Sequence, residues 1–184
     1  MTLTWILLGL VVLLALWGIT TYNRLIGLKN QKENGWRQID VQLKRRHDLV
    51  PNLVQAVQGH AGYERRTLEA VVEARNRATA ARGPAEAGEA ERALAGSVNQ
   101  LLAVAEAYPD LKAGGSFLSL QRSLVEIEDH IQNARRYYNA VVRDLNTKIA
   151  QFPSNLVAGP LGFQAQEFFG LASEAEGAVP RVEM

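Results

Sequence analysis

The chain has 184 residues, a formal net charge of +1, 47% hydrophobic and 21% charged residues, and no cysteine. That length sets one domain plus attachments as the expectation, and the composition excludes a disordered chain. The missing cysteine excludes a disulfide framework, thiolate catalysis and a lipid-modified cysteine.

Alanine, leucine, glutamate and arginine dominate long tracts, and all six prolines fall between or outside the periodic segments. An all-α fold is therefore expected. Charge is unevenly spread: Arg24 to Arg82 holds 12 Lys/Arg against 6 Asp/Glu, whereas 83–108 and 151–184 are acidic.

Residues 1–22 read as a transmembrane anchor. Leu3 to Tyr22 is apolar and the first charged side chain is Arg24. About 20 such residues cross roughly 30 Å of hydrocarbon as a helix. Trp5, Trp17 and Tyr22 lie near its ends, where amphipathic rings prefer to sit. A cleaved signal peptide fits less well, because no Lys or Arg precedes the apolar run and no clear Ala-x-Ala site follows it. Positive charge flanks only the C-terminal end, which by the positive-inside rule places the body in the cytoplasm of a bacterial cell, below its inner membrane.

Residues 23–150 read as an antiparallel up-and-down bundle of about four long helices. Asn23 to His47 is the first, with Leu25, Leu28, Trp36, Ile39 and Leu43 at helical spacing. Arg24, Lys29, Lys32 and Arg37 lie between them as a solvated face or as contacts to anionic headgroups. Lys44, Arg45 and Arg46 are about 30 Å further on and suit contacts to other helices or subunits.

Pro51 cannot donate to the carbonyl of His47, so a helix is expected to kink or stop there. Asp48 is a candidate cap for a new helix. Asp48 and Pro51 are thus expected to form a structural joint, with a helix–helix hairpin favoured and a sharp kink as the alternative.

Helix two is expected from Pro51 to Arg82, with Val54, Val57, Ala61, Leu68, Val71 and Ala78 on one seam. Glu64 and Arg75 occupy that seam as charged residues. Helix three is expected from about Glu86 to Tyr108, on Leu94, Val98, Leu101, Ala105 and Tyr108. Ser116 is a candidate cap for helix four. There Phe117, Leu120, Leu124, Ile127, Ile131, Ala134, Tyr138, Val141 and Leu145 alternate steps of 3 and 4, a narrow seam of about 50 Å. That exceeds what helix three can cover and suggests self-association. Residues 151–184 read as an apolar loop, a short aromatic segment and a weakly ordered tail. Phe163, Phe168 and Phe169 need burial against the bundle, the bilayer interface or another subunit.

No catalytic, cofactor-binding or metal-ligating residues are expected. His60/Glu64 and Glu126/His130 lack the spacings of di-iron or zinc helices. Gly114-Gly115-Ser116 lacks the lysine of a phosphate loop and reads as a plain helix start. Nucleic acid is not an expected partner, given the anchor and the balanced charge.

Four ordered segments carry a family resemblance. They are Tyr22-Asn23-Arg24-Leu25; Ile39 to Arg46 with Asp48 to Leu53; Tyr108 to Ala113 with Phe117 and Leu120-Gln121; and Arg135-Arg136-Tyr137-Tyr138-Asn139 with Asn146 and Phe152 to Asn155. Together they resemble the LemA family of bacterial membrane proteins. The resemblance implies a helical bundle behind an N-terminal anchor and no known enzymatic activity. Some relatives look involved in membrane organisation, including magnetosome formation, and others in signalling phenotypes. Some members carry a lipobox cysteine where this chain has Thr20-Thr21, and their bodies lie outside the cytoplasm, opposite to the charge-based expectation. The expected function is a membrane-anchored, non-enzymatic scaffold, homo-oligomeric and in contact with the bilayer. The alternative is an adaptor for a membrane-protein partner such as an envelope protease or sensor kinase.

Overall fold

The computed structural model describes residues 2–58, 65–109 and 114–170. Among the described residues the helices are, in order, α1 (Thr2–Gln58), α2 (Arg65–Ala80), α3 (Gly83–Ala105), α4 (Gly115–Ala150) and the one-turn α5 (Asn155–Ala158).

α1 is 57 residues long, roughly 85 Å at the α-helical rise. Its first third is mostly exposed: Leu3, Trp5, Ile6 and Leu13 are all about two-thirds exposed. That stretch is long and apolar enough to cross a membrane. From Leu25 onward the same helix becomes a wall of the bundle, burying Leu25, Leu28, Ile39, Leu43, Val50, Leu53, Val54 and Val57. No linker separates the two parts.

The bundle is up-down-up-down. α1 and α4 form the principal antiparallel pair, and α2 and α3 form a second. The α2–α3 turn uses Gly83 at φ +79°, in the left-handed region that glycine tolerates. The Glu86 carboxylate then accepts from the backbone N–H of Arg82 at 2.9 Å and caps the start of α3.

Three apolar clusters stack along α1 and α4. The far cluster draws on four helices, through Val50 to Val57, Leu68 to Ala78, Leu94 to Ala105, Phe117 and Leu124. The middle cluster joins Ile39, Leu43, Ile131, Tyr138 and Val142 to Ala87 and Phe169. The cluster nearest the apolar segment holds Leu25, Leu28, Leu145 and Ala158, with Phe163 against it. α2 and α3 are too short to flank all of α4. Residues 163–170 return as an irregular strap along α1 and α4 and take their place.

The seam of α4 is where its periodicity places it, with Phe117, Leu124, Ile127, Ile131, Ala134, Tyr138, Val141 and Leu145 buried. Its excess length beyond α3 faces α1 and the strap, so length alone is no argument for a second copy. Ser116 is not the cap: the helix begins at Gly115, with Gly114 in the cap position.

The expected hairpin at Pro51 is absent. α1 continues through Pro51 to Gln58, and Asp48 sits exposed inside it rather than capping a new helix. Glu64 and Ala61, like the tail beyond Gly170, lie outside the described residues.

Candidate functional site

The reason α1 survives Pro51 lies on α2. Proline at 51 leaves the His47 carbonyl without its i+4 donor. The Arg75 Nε donates to that carbonyl at 2.8 Å, from 28 residues away. A guanidinium thus replaces the missing backbone N–H.

This makes a testable coupling. Arg75→Ala should cost about 1 kcal/mol, since it strands a part-buried carbonyl. In a Pro51→Ala background, where an N–H is restored, the same change should cost much less. Denaturant midpoints of the four proteins measure it, and equal losses in both backgrounds would refute the substitution.

Around the same turn lies the most buried charge among the described residues. Arg46 and Glu91 are each about one-twentieth exposed. Arg46 Nη1 donates to Glu91 Oε2 at 3.1 Å, and its Nη2 pairs with Glu128. The other Glu91 oxygen meets His47 Nε2 at 2.5 Å. α1, α3 and α4 are therefore tied by one carboxylate–guanidinium–imidazole junction, with α2 joined through the His47 carbonyl. Isolated buried charges are costly, and reciprocal pairing is what makes such a cluster tolerable.

A groove of about 280 Å³ between α3 and α4 has Arg46 in its wall, beside Asn99, Glu128 and Asp129. Arg46 already faces two carboxylates, so the groove has no spare positive charge for an anion. Among the described residues, no group of three His, Cys, Asp or Glu side chains is placed to hold a metal ion.

The second polar construction holds the strap. Asn139 gives its Nδ2 to the Phe169 carbonyl at 3.1 Å and accepts the Phe169 N–H at 2.9 Å. Asn146 does the same with Gln166, at 2.9 and 2.8 Å. The registers match: seven helical residues rise about 10.5 Å, and three extended residues span about 10 Å. Two asparagines one heptad apart thus substitute for the edge of a sheet. Lys32 Nζ donates to the Gln166 side chain at 2.7 Å, and Tyr138 donates to the Glu167 carbonyl at 2.9 Å.

Phe169 is buried edge-on against Trp36, with centroids 5.7 Å apart, and Trp36 also packs on Tyr138. Phe168 lies half-buried against the same cluster. Phe163 meets Tyr22 edge-on at 6.2 Å. The three phenylalanines expected as lipid or partner contacts are thus partnered within the chain, because an irregular segment needs apolar anchors to offset its ordering entropy.

Burial, reinforced by the Glu167 carboxylate, pushes the Tyr138 hydroxyl up to about 12. The phenol is needed protonated, so its contribution is complete below the ordinary tyrosine value near 10 and lost as pH rises through the folded value. Strap protection in hydrogen exchange should therefore fall between about pH 10 and 12. Tyr138→Phe should be weaker by about 1 kcal/mol at neutral pH and show less of that alkaline loss.

The remaining basic candidates diverge. Arg24, Lys29, Arg37, Lys44 and Arg45 are exposed, while Lys32 serves the strap and Arg46 the junction. Spacing could have singled out Arg46. Ile39, Leu43, Arg46, Val50, Leu53 and Val57 step 4-3-4-3-4 without a break across Pro51. Ala87, Glu91, Leu94, Val98, Leu101 and Ala105 do likewise. A charged residue in an unbroken seam signals a buried pair.

Comparison with known families decides the affiliation: the LemA family model matches residues 35–184. The chain belongs to the LemA family. Among curated proteins it is similar to magnetosome proteins MamQ 1 and MamQ 2 of Paramagnetospirillum magneticum (strain ATCC 700264 / AMB-1). Each is 26% identical over 80% of this chain and 64% of the relative. It is also similar to Protein LemA of Metamycoplasma hominis, 28% identical over 79% of this chain and 69% of the relative. The chain therefore spans a little under two-thirds of the length of the MamQ proteins. In this LemA-family chain, two of the four segments that carried the resemblance contribute to the polar constructions. Arg46, between Ile39 and Leu53, enters the junction with Glu91 and Glu128, and Tyr138, Asn139 and Asn146 hold the strap. Ser154 closes α4 by donating to the Lys148 and Gln151 carbonyls.

Proposed function

We propose that this LemA-family protein is a non-enzymatic, single-pass membrane scaffold whose rigid bundle is held at a fixed attitude to the bilayer. The observation that carries this reading is the continuity of α1 from Thr2 to Gln58. A single helix that is both the span and the principal wall of the bundle transmits orientation, which a flexible linker would not. The buried charges support it too, since Arg46 and Glu91 pair with each other and with Glu128 and His47. The naming of the MamQ relatives as magnetosome proteins fits a role in membrane organisation.

Self-association belongs to the same proposal. The apolar residues Val41 and Tyr137 are about half exposed and flank a groove of about 480 Å³ between α1 and α4. Mass measurement of the full chain in lipid nanodiscs should give oligomers whose population grows with loading. A monomer at every concentration would remove self-association from the proposal.

The body is assigned to the cytoplasmic side of the inner membrane on the charge flanking the span. In the naturally cysteine-free chain, Thr2→Cys should be labelled by an impermeant reagent from outside intact cells and Ser119→Cys should not. The reverse pattern would place the bundle on the outer side.

A further inference from the structure

We propose that the turn between α4 and α5, together with the approach to the strap (residues 152–161), is a second membrane contact that inserts shallowly into the phospholipid interface beside the span. This rests on the reading of the apolar part of α1 as membrane-spanning.

The turn is fixed at the level where that span ends. Phe152 and Pro153 share a groove with Trp17, Thr20, Thr21 and Arg24 of α1. Those α1 positions cover only about 10 Å along the axis and include the last turns of the apolar run. At the other end of the turn, Ala158 packs with Leu25 and Leu28, and Phe163 meets the Tyr22 ring. Ser154 is buried and bonded to the carbonyls of Lys148 in α4 and of Gln151 just past it, which locks the turn to the helix end. The segment is a collar around α1 where the hydrocarbon gives way to headgroups.

Its exposed face has the wrong chemistry for water. Phe152 is 72% exposed, Leu156 61% and Leu161 54%. They are the large apolar residues that the bundle leaves uncovered here, whereas Phe163, Phe168 and Phe169 are packed inward. From Leu145 to Gln166 there is no Asp or Glu, and Lys148 is the one charged residue. A carboxylate-free segment avoids both charge desolvation and repulsion from lipid phosphates. Lys148 and Arg24 line the same groove, suited to phosphate oxygens above the inserted side chains. A second protein would have to enter the headgroup layer to reach this surface, whereas lipid is already there.

The test uses the full chain, which has no cysteine of its own. Single cysteines at Leu10, Phe152, Leu161 and Ser119 are labelled with an environment-sensitive fluorophore. The proteins are then reconstituted in phosphatidylcholine–phosphatidylglycerol vesicles with or without shallow or deep spin-labelled lipids. Labels at Phe152 and Leu161 should emit blue-shifted and be quenched several-fold more by the shallow quencher than the label at Ser119. Leu10 should respond best to the deep one. Quenching at Leu10 with Phe152 and Leu161 no different from Ser119 would overturn the second contact and leave the span intact. Absence of quenching at Leu10 would instead overturn the span, and this inference with it. Protection at Phe152 that disappears on dilution of protein in lipid would assign the collar to a second copy and equally overturn the proposal.

Discussion

Glu91→Ala should be the most damaging charge deletion in the bundle, at about 3–5 kcal/mol. The carboxylate is buried and holds both Arg46 and His47. Removing it leaves a guanidinium in an apolar seam with only the partly exposed Glu128 opposite. Breaking a buried pair on one side strands the other charge, which costs more than the pair contributes when intact. Since a domain is stable by only about 5–15 kcal/mol, that is a large fraction of the total.

The control is Glu128→Ala. Its side chain is 40% exposed, and exposed partners are worth about 0–1 kcal/mol. Urea titration of the helical signal in mild detergent should rank the two clearly. Arg46→Met with Glu91→Leu should recover most of the loss, because apolar isosteres of a buried pair are commonly neutral or better. A Glu91→Ala midpoint close to wild type would mean the junction is hydrated and carries little.

Gly88→Ala should release the strap. In the interior of an exposed helix this change ordinarily stabilises by about 0.5–1 kcal/mol. Here a Cβ would lie 2.2 Å from the Gly170 nitrogen and 2.4 Å from its Cα. Backbone cannot yield locally as a long side chain would, and Gly170 is itself held at φ +69°. The strap must lift, losing the Asn139 pair and the burial of Phe169. Deleting a buried phenylalanine costs about 3–5 kcal/mol, which bounds the effect.

Gly96 of the same helix has open space where its Cβ would stand. Gly96→Ala should therefore stabilise, and the opposite signs of two identical substitutions form the test. Trp36, which meets Phe169 edge-on, should shift its emission to the red in Gly88→Ala, and protease cleavage after Glu167 should accelerate. A Gly88→Ala protein with native Trp36 emission and native cleavage would show that the strap is seated elsewhere.

Much of this architecture is legible in the chain because helices are local. Steps of 3 and 4 put Leu94, Val98 and Leu101 on one side of α3, and Ile127, Ile131 and Ala134 on one side of α4, whatever those sides pack against. The apolar run ending at Tyr22 is equally local. Pro51 was misread for the complementary reason. Its cost in a helix is about 3 kcal/mol when nothing answers it, and the answer is a guanidinium on another helix. The need of Phe169 for burial was legible, but its place was not. The strap bonds through Asn139 and Asn146, and nothing local tells a solvent-facing asparagine from one that stands in for a sheet edge.

The sequence alone thus determined that this is an all-helical chain with an N-terminal segment apolar enough to span a membrane, since both follow from periodicity and hydrophobicity over short windows. Only the tertiary structure decided that α1 runs unbroken through Pro51, and that Glu91 and Glu128 are the carboxylates that answer Arg46. It also turned Phe163, Phe168 and Phe169 inward and left Phe152, Leu156 and Leu161 facing out. Those outcomes depend on which groups distant in sequence meet, and their energies exist only once the chain has closed on itself.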